Sequence, residues 1–177
     1  MIALKTNIKT MAQVAFLVAL EVVLNRFLSI NTSELKIGFS FIPIALCGML
    51  FGPVWAAVAG GLADVIGATL FPIGTYHPGF TIVAALMGAV FGLLLRKNEK
   101  MRFVVGVICA TVINCLIFGL CVNTLWISQL YSSNTYWVFF VMRFTTQYVF
   151  LVPVYIVCLM QLPRLVRAIE RSKLTSV

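Results

Sequence analysis

The sequence predicts an all-α integral membrane protein: a single six-helix domain over residues 1–177, with both termini on the cytoplasmic side. Three observations carry this prediction. Of the 177 residues, 62% are hydrophobic and 10% are charged, and mean hydropathy is +1.06. A soluble domain carries about 25% charged residues, so this chain lacks the polar material to cover a water-facing surface. The apolar residues also form continuous runs instead of alternating. Lipid offers the backbone no hydrogen bonds, so continuous runs near 20 residues mean helices that satisfy themselves. Finally, the net charge of +8 (13 Lys and Arg against 5 Asp and Glu) sits at the flanks of those runs. Intrinsic disorder, a collagen-like fibre and a soluble nucleic-acid-binding domain are all disfavoured by this pattern.

Taken in order, the first span runs from Ile8 to Ile30 and is followed by the polar loop Asn31-Thr32-Ser33-Glu34-Leu35-Lys36. The second runs from Ile37 to Gly52, where Gly52-Pro53 makes a turn. The third runs from Val54 to Leu70. Spans two and three are short for a bilayer and are expected to be tilted or shielded by protein. Phe71 to Pro78 is a Pro- and Gly-containing loop, placed to act as a lid. The fourth span runs from Gly79 to Leu95, the fifth from Phe103 to Ile127 and the sixth from Tyr136 to Leu162. Pro43 in span two and Pro153 in span six each remove a backbone donor and are expected to kink their helices.

Orientation follows from the basic residues. Lys5 and Lys9, the cluster Arg96, Lys97, Lys100 and Arg102, and the tail Arg164, Arg167, Arg171 and Lys173 all fall on the side that holds the N-terminus, while the opposite loops hold only Lys36. Cytoplasmic loops carry the Lys and Arg excess, so both termini are expected inside. The basic lead lacks a cleavage signature, so the first span is expected to be retained.

Polar groups inside apolar runs are the functional signal. Glu21, Arg26, Asp64 and Arg143 are ionisable and lie within spans. Each costs about 2.5–3.5 kcal/mol at mid-helix on insertion scales, so each needs a partner or a wet cavity. With Asn114 they fall in the outer half and the midplane, which predicts a cavity open to the outside. Pairing of Asp64 with Arg26 or Arg143 would satisfy these groups internally. Two arginines against so few acids nevertheless leave positive charge for an anionic ligand. Arg143 and Gln147 are four apart and share a helical face, with Phe139 and Phe150 on the same stripe. Such a face suits a planar anion, because a guanidinium both pairs with carboxylate and stacks on rings.

Small residues make a second signal. Ala56, Gly60 and Asp64 in span three, and Ala84, Gly88 and Gly92 in span four, recur every four residues. Small-xxx-small stripes let helices approach closely in lipid. In span one the stripe is Ala12, Ala15 and Ala19, which packs either within the chain or against an external partner. The five cysteines at 47, 109, 115, 121 and 158 sit in apolar runs without CxxC spacing and read as buried hydrophobes. One histidine makes no metal site. Nothing signals a nucleophile, so no enzyme activity and no cofactor are expected.

The runs Ile37-Gly38-Phe39-Ser40-Phe41-Ile42-Pro43, Gly48-Met49-Leu50-Phe51-Gly52-Pro53, Gly61-Leu62-Ala63-Asp64-Val65-Ile66-Gly67, Phe71-Pro72 and Pro78-Gly79-Phe80-Thr81 resemble the substrate-binding S component of energy-coupling factor (ECF) vitamin transporters. The resemblance covers nearly the whole chain, and within the family it is strongest to the folate-specific members. It implies a multi-pass protein of the bacterial plasma membrane that captures folate in an outward-facing cavity. Ala15-Phe16-Leu17-Val18-Ala19 matches the family's docking surface for the transmembrane coupling subunit EcfT, and two ATPases, EcfA and EcfA′, supply energy from ATP. On this reading Asn114 and Asp64 are expected near the pterin, and Arg26 and Arg143 near carboxylates or rings. Tyr76, His77, Phe80, Thr81, Gln147 and Tyr148 are further candidates. Alternatives are an S component for riboflavin or pantothenate, a small membrane enzyme and a channel.

Overall fold

A computed structural model describes residues 7–31, 36–96, 100–130 and 136–175. Apart from one short strand pair, the described chain is helical. Helix α1 (Ile8–Arg26) leads through an antiparallel pair, β1 (Ile30–Asn31) with β2 (Lys36–Ile37), into α2 (Phe41–Phe51). Helices α3 (Pro53–Leu70) and α4 (Pro78–Leu95) follow. A fifth rod is built from α5 (Lys100–Thr111), a π-helical stretch Val112–Val122 and α6 (Asn123–Leu130). The last rod joins α7 (Tyr136–Arg143), a π turn Phe144–Tyr148 and α8 (Val149–Thr175).

Among the described residues, five stretches are long and apolar enough to cross a membrane: Ile8–Arg26, Pro53–Leu70, Pro78–Leu95, Arg102–Leu130 and Val149–Ala168. Helix α2 is apolar but has only 11 residues, about 16 Å at 1.5 Å per residue, which is half the hydrocarbon thickness. The expected second span is therefore a short helix. Its outer part, 37–40, is strand and turn, and α1 likewise stops at Arg26, before the apolar run ends. Near that end the Ser29 hydroxyl donates to the Asn25 carbonyl, a local bond of the kind that competes with helix. The late start of α2 also removes the expected kink at Pro43. This proline is the third residue of α2, in the first turn, where backbone N–H groups have no intrahelical acceptor. Pro153, by contrast, lies inside α8 as expected.

Proline and glycine set the ends of the central pair. Pro53 and Pro78 each occupy the first helical position, where a fixed φ is helical and the missing N–H costs nothing. Gly52, with φ of 97°, makes the α2–α3 turn in the left-handed region that side chains avoid.

The seam of α3 and α4 carries out the small-residue prediction. A Cβ on Gly60 would lie 2.5 Å from the Ala84 carbonyl oxygen, and one on Gly88 would run into the Ala56 carbonyl. Gly92 meets Pro53 and Gly48 meets Gly92 in the same way, so α2, α3 and α4 touch backbone to backbone. Dispersion at such contacts holds helices together where lipid removes the hydrophobic drive. Burial is inverted relative to a soluble protein. Phe16, Leu62, Leu93, Val157 and many other large apolar side chains face outward, while Glu21, Asn25, Thr111, Asn114, Thr124 and Arg143 are buried. That is the pattern of a chain whose surroundings are hydrocarbon.

Candidate functional site

Four of these buried polar residues, Glu21, Asn25, Asn114 and Arg143, line one cavity of about 200 Å³. Its walls come from nearly every rod. Helix α1 supplies Glu21 and Asn25, the segment before α2 supplies Gly38 and Ser40, and α2 adds Phe41. The α3–α4 seam adds Gly60, Ala84, Met87 and Phe91. The fifth rod contributes Asn114, Cys115, Gly119 and Asn123, and the last rod Arg143, Tyr148 and Tyr155.

Both π-helical stretches border the cavity. A π turn bonds residue i to i+5, so residues five apart share a face, and such turns recur at functional sites. Asn114 and Gly119 are five apart and both line the cavity, as are Arg143 and Tyr148. Gly119 is needed there: a Cβ would lie 2.5 Å from the Tyr148 hydroxyl. Arg143 is 4% exposed; its Nη1 donates to Thr124 Oγ1 at 3.1 Å, and its Cζ lies 5.8 Å from the Tyr148 ring centroid, within cation–π range. Across the cavity the Phe41 and Tyr155 rings stack at 3.5 Å between centroids.

Amides add to the polar wall alongside Glu21 and Ser40. Asn25 Nδ2 donates to Glu21 Oε1 at 2.7 Å, and Asn114 Nδ2 donates to the Met87 carbonyl at 3.3 Å. The Oδ1 atoms of Asn25, Asn114 and Asn123 are buried without a hydrogen-bond partner.

The candidates named from sequence divide. Asn114, Arg143 and Tyr148 line the cavity. Asp64, Thr81 and Tyr76 form a separate chain: Thr81 Oγ1 donates to Asp64 Oδ2 at 2.7 Å, so the 2.9 Å contact of Tyr76 with Thr81 has the tyrosine as donor. His77 caps α4 by accepting from the Gly79 N–H at 3.0 Å and stacks on Trp126 at 4.8 Å, with Phe80 edge-on beside it. Arg26 lies over Gly67 of α3, within 3 Å of where a Cβ would be. None of these six is a cavity-lining residue, and the 71–78 segment supplies none either; the loop segment at the cavity is 38–40. The Phe139 and Gln147 side chains lie outside those described, and Phe150 is 70% exposed, away from the cavity. The residues that sequence reading left out are Asn25, Asn123, Phe41 and Tyr155. Asn25, four residues from Glu21 inside an apolar run, carried the same signal as Asn114.

Ala15 and Ala19 lie elsewhere. Both are exposed and line a second, apolar groove of about 530 Å³ between α1 and α3, with Val18, Trp55 and Leu62 among its walls.

The described helices, apolar on the outside and enclosing a polar cavity, are those of a multi-pass membrane protein. The family profile for the ECF transporter, substrate-specific component, matches residues 9–169, and the chain belongs to that family: it is a transporter component and not an enzyme. It is 41% identical over 137 residues to the folate transporter FolT of Clostridium novyi (strain NT), covering 77% of this chain and 78% of that one. It is 29% identical over 133 residues to the folate transporter FolT of Leuconostoc mesenteroides, covering 75% and 71%. A crystal structure of FolT bound with folic acid superposes with a TM-score of 0.80 at 36% identity, covering 88% of this chain and 93% of that one.

Proposed function

We propose that this chain is the folate-binding S component of an ECF-type importer. The observation that carries the reading is its likeness, in sequence and across the fold, to a FolT solved with folic acid. The cavity chemistry agrees with it. Folate joins a flat pterin, bearing N–H donors, to a glutamate with two carboxylates, and the cavity offers aromatic walls, amide oxygens and a buried guanidinium. A cavity of about 150 Å³ accepts one benzene ring. At about 200 Å³ this one takes the pterin head, leaving the aminobenzoyl-glutamate tail toward the mouth.

The chain spans the bacterial plasma membrane six times as one domain, with the last rod as the sixth span and both termini inside, where ten of the thirteen Lys and Arg residues lie. Without a nucleotide motif of its own, it depends on a coupling subunit, EcfT, and on ATP hydrolysed by EcfA and EcfA′. Ala15 and Ala19 in the α1–α3 groove form the face for EcfT. The test is to express the chain alone, purify it in detergent and identify the co-purified ligand by mass and ultraviolet absorbance. Folate at near one per chain is expected; another vitamin in its place would overturn the assignment.

A further inference from the structure

We propose that the side-chain carbonyls of Asn25 and Asn114 are the groups that read the ligand's heterocycle, each accepting an N–H from the amino-oxo edge of a pterin. The inference rests on the folate reading above and goes further by naming the specificity determinants. Both residues are buried, Asn114 fully and Asn25 to 8% exposure, and both line the cavity, from α1 and from the π-helical stretch of the fifth rod.

Their amide orientation follows from chemistry. A backbone carbonyl only accepts hydrogen bonds, and so does a carboxylate in its ionised form. The Asn25 atom facing Glu21 Oε1 at 2.7 Å and the Asn114 atom facing the Met87 carbonyl at 3.3 Å must therefore be the NH2 groups. A flipped amide would set oxygen against oxygen. With each NH2 committed to the protein, each Oδ1 is left as an acceptor, and neither has a hydrogen-bond partner. Buried polar atoms are nearly always satisfied, and an exception calls for a ligand or another functional account. Here two exceptions border the same small cavity, and Asn123 Oδ1 adds a third.

An acceptor-lined wall selects against ligands that lack donors, because their binding leaves these oxygens desolvated and unpaired. A 2-amino-4-oxopteridine presents two adjacent donors on one edge, N3–H and the 2-amino group. The cavity therefore discriminates by the donor edge, while Arg143 and the tyrosine rings hold the ligand without reading it.

The test uses the full chain, purified and stripped of ligand, titrated calorimetrically with folate and with its 2-desamino-2-methyl analogue. The wild type is expected to bind folate at least tenfold tighter than the analogue. Asn25→Leu and Asn114→Leu combined are expected to bring the two ligands within twofold of each other. Should the double variant fail to fold, the single variants supply the same ratio, and one of them must lose the preference. A wild type that binds both ligands within twofold overturns the inference, as do leucine variants that all keep a tenfold preference. Absence of folate binding by the wild type overturns the folate reading and this inference with it, whereas folate binding without the preference overturns the inference alone.

Discussion

The Arg143 guanidinium lies over the Tyr148 ring at 5.8 Å, five residues along a helix that changes from α to π between them. In a regular α-helix the fourth residue would share the face of Arg143; the π turn brings the fifth there. At 4% exposure the guanidinium is held at the cavity wall, and its planar fork can both pair with a carboxylate and stack on a ring. Arg143→Ala is expected to weaken folate binding at least tenfold, about 1.4 kcal/mol, by calorimetry on purified protein. Unchanged affinity would take Arg143 out of the ligand site.

Asp64 tests the division between cavity and surroundings. Its carboxylate accepts from Thr81, which accepts from Tyr76, and none of the three borders the cavity. Asp64→Asn and Thr81→Val are expected to change folate affinity by less than about twofold, while Thr81→Val lowers stability by about 1 kcal/mol through the lost hydrogen bond. A tenfold loss of affinity in either would place the chain of hydroxyls in the site.

These outcomes bear on what the sequence made legible. Long apolar runs set the helices and their order, and the four-residue spacing of Ala56 and Gly60 in α3 and of Ala84, Gly88 and Gly92 in α4 set their seam, because both effects are local or strictly periodic. The short α2 was not legible: the run 37–52 is apolar throughout, and only the strand pairing of Ile37 with Ile30 shows where helix gives way. The π stretches were hidden for a related reason. Periodicity assumes 3.6 residues per turn, so Arg143 was matched with Gln147 and not with Tyr148. Asp64 and Asn114 looked equivalent as polar groups in apolar runs, yet Asp64 found a hydroxyl on α4 whereas the Asn114 oxygen found no partner. That difference is made by tertiary neighbours.

The α3–α4 seam gives a stability prediction. A side chain on Gly88 runs into the carbonyl of Ala56, a backbone atom that cannot rotate away. Overpacking costs about 1–3 kcal/mol where side chains yield, so Gly88→Leu belongs at or above the upper end, about 3 kcal/mol. A marked fall in the thermal midpoint of detergent-solubilised protein is expected. An unchanged midpoint would mean that the helices separate freely and that the seam does not define the fold.

The last prediction separates binding from transport. Ala15 and Ala19 are exposed on α1 and open onto an apolar groove that α3 completes, while the cavity residues of α1, Glu21 and Asn25, are nearer its C-terminal end. One helix thus presents two surfaces with different chemistry. Alanines at this spacing let a partner helix approach to backbone distance; an arginine would fill that space and bring a charge that helix–helix contact in lipid must desolvate. Ala15→Arg and Ala19→Arg are each expected to leave folate affinity of the isolated chain within about twofold and to abolish folate uptake when the chain is produced with its coupling subunit and ATPases. Co-purification of the coupling subunit is expected to fail in parallel. Uptake at the normal rate with a bulky cation at either position would show that coupling engages another face of the molecule.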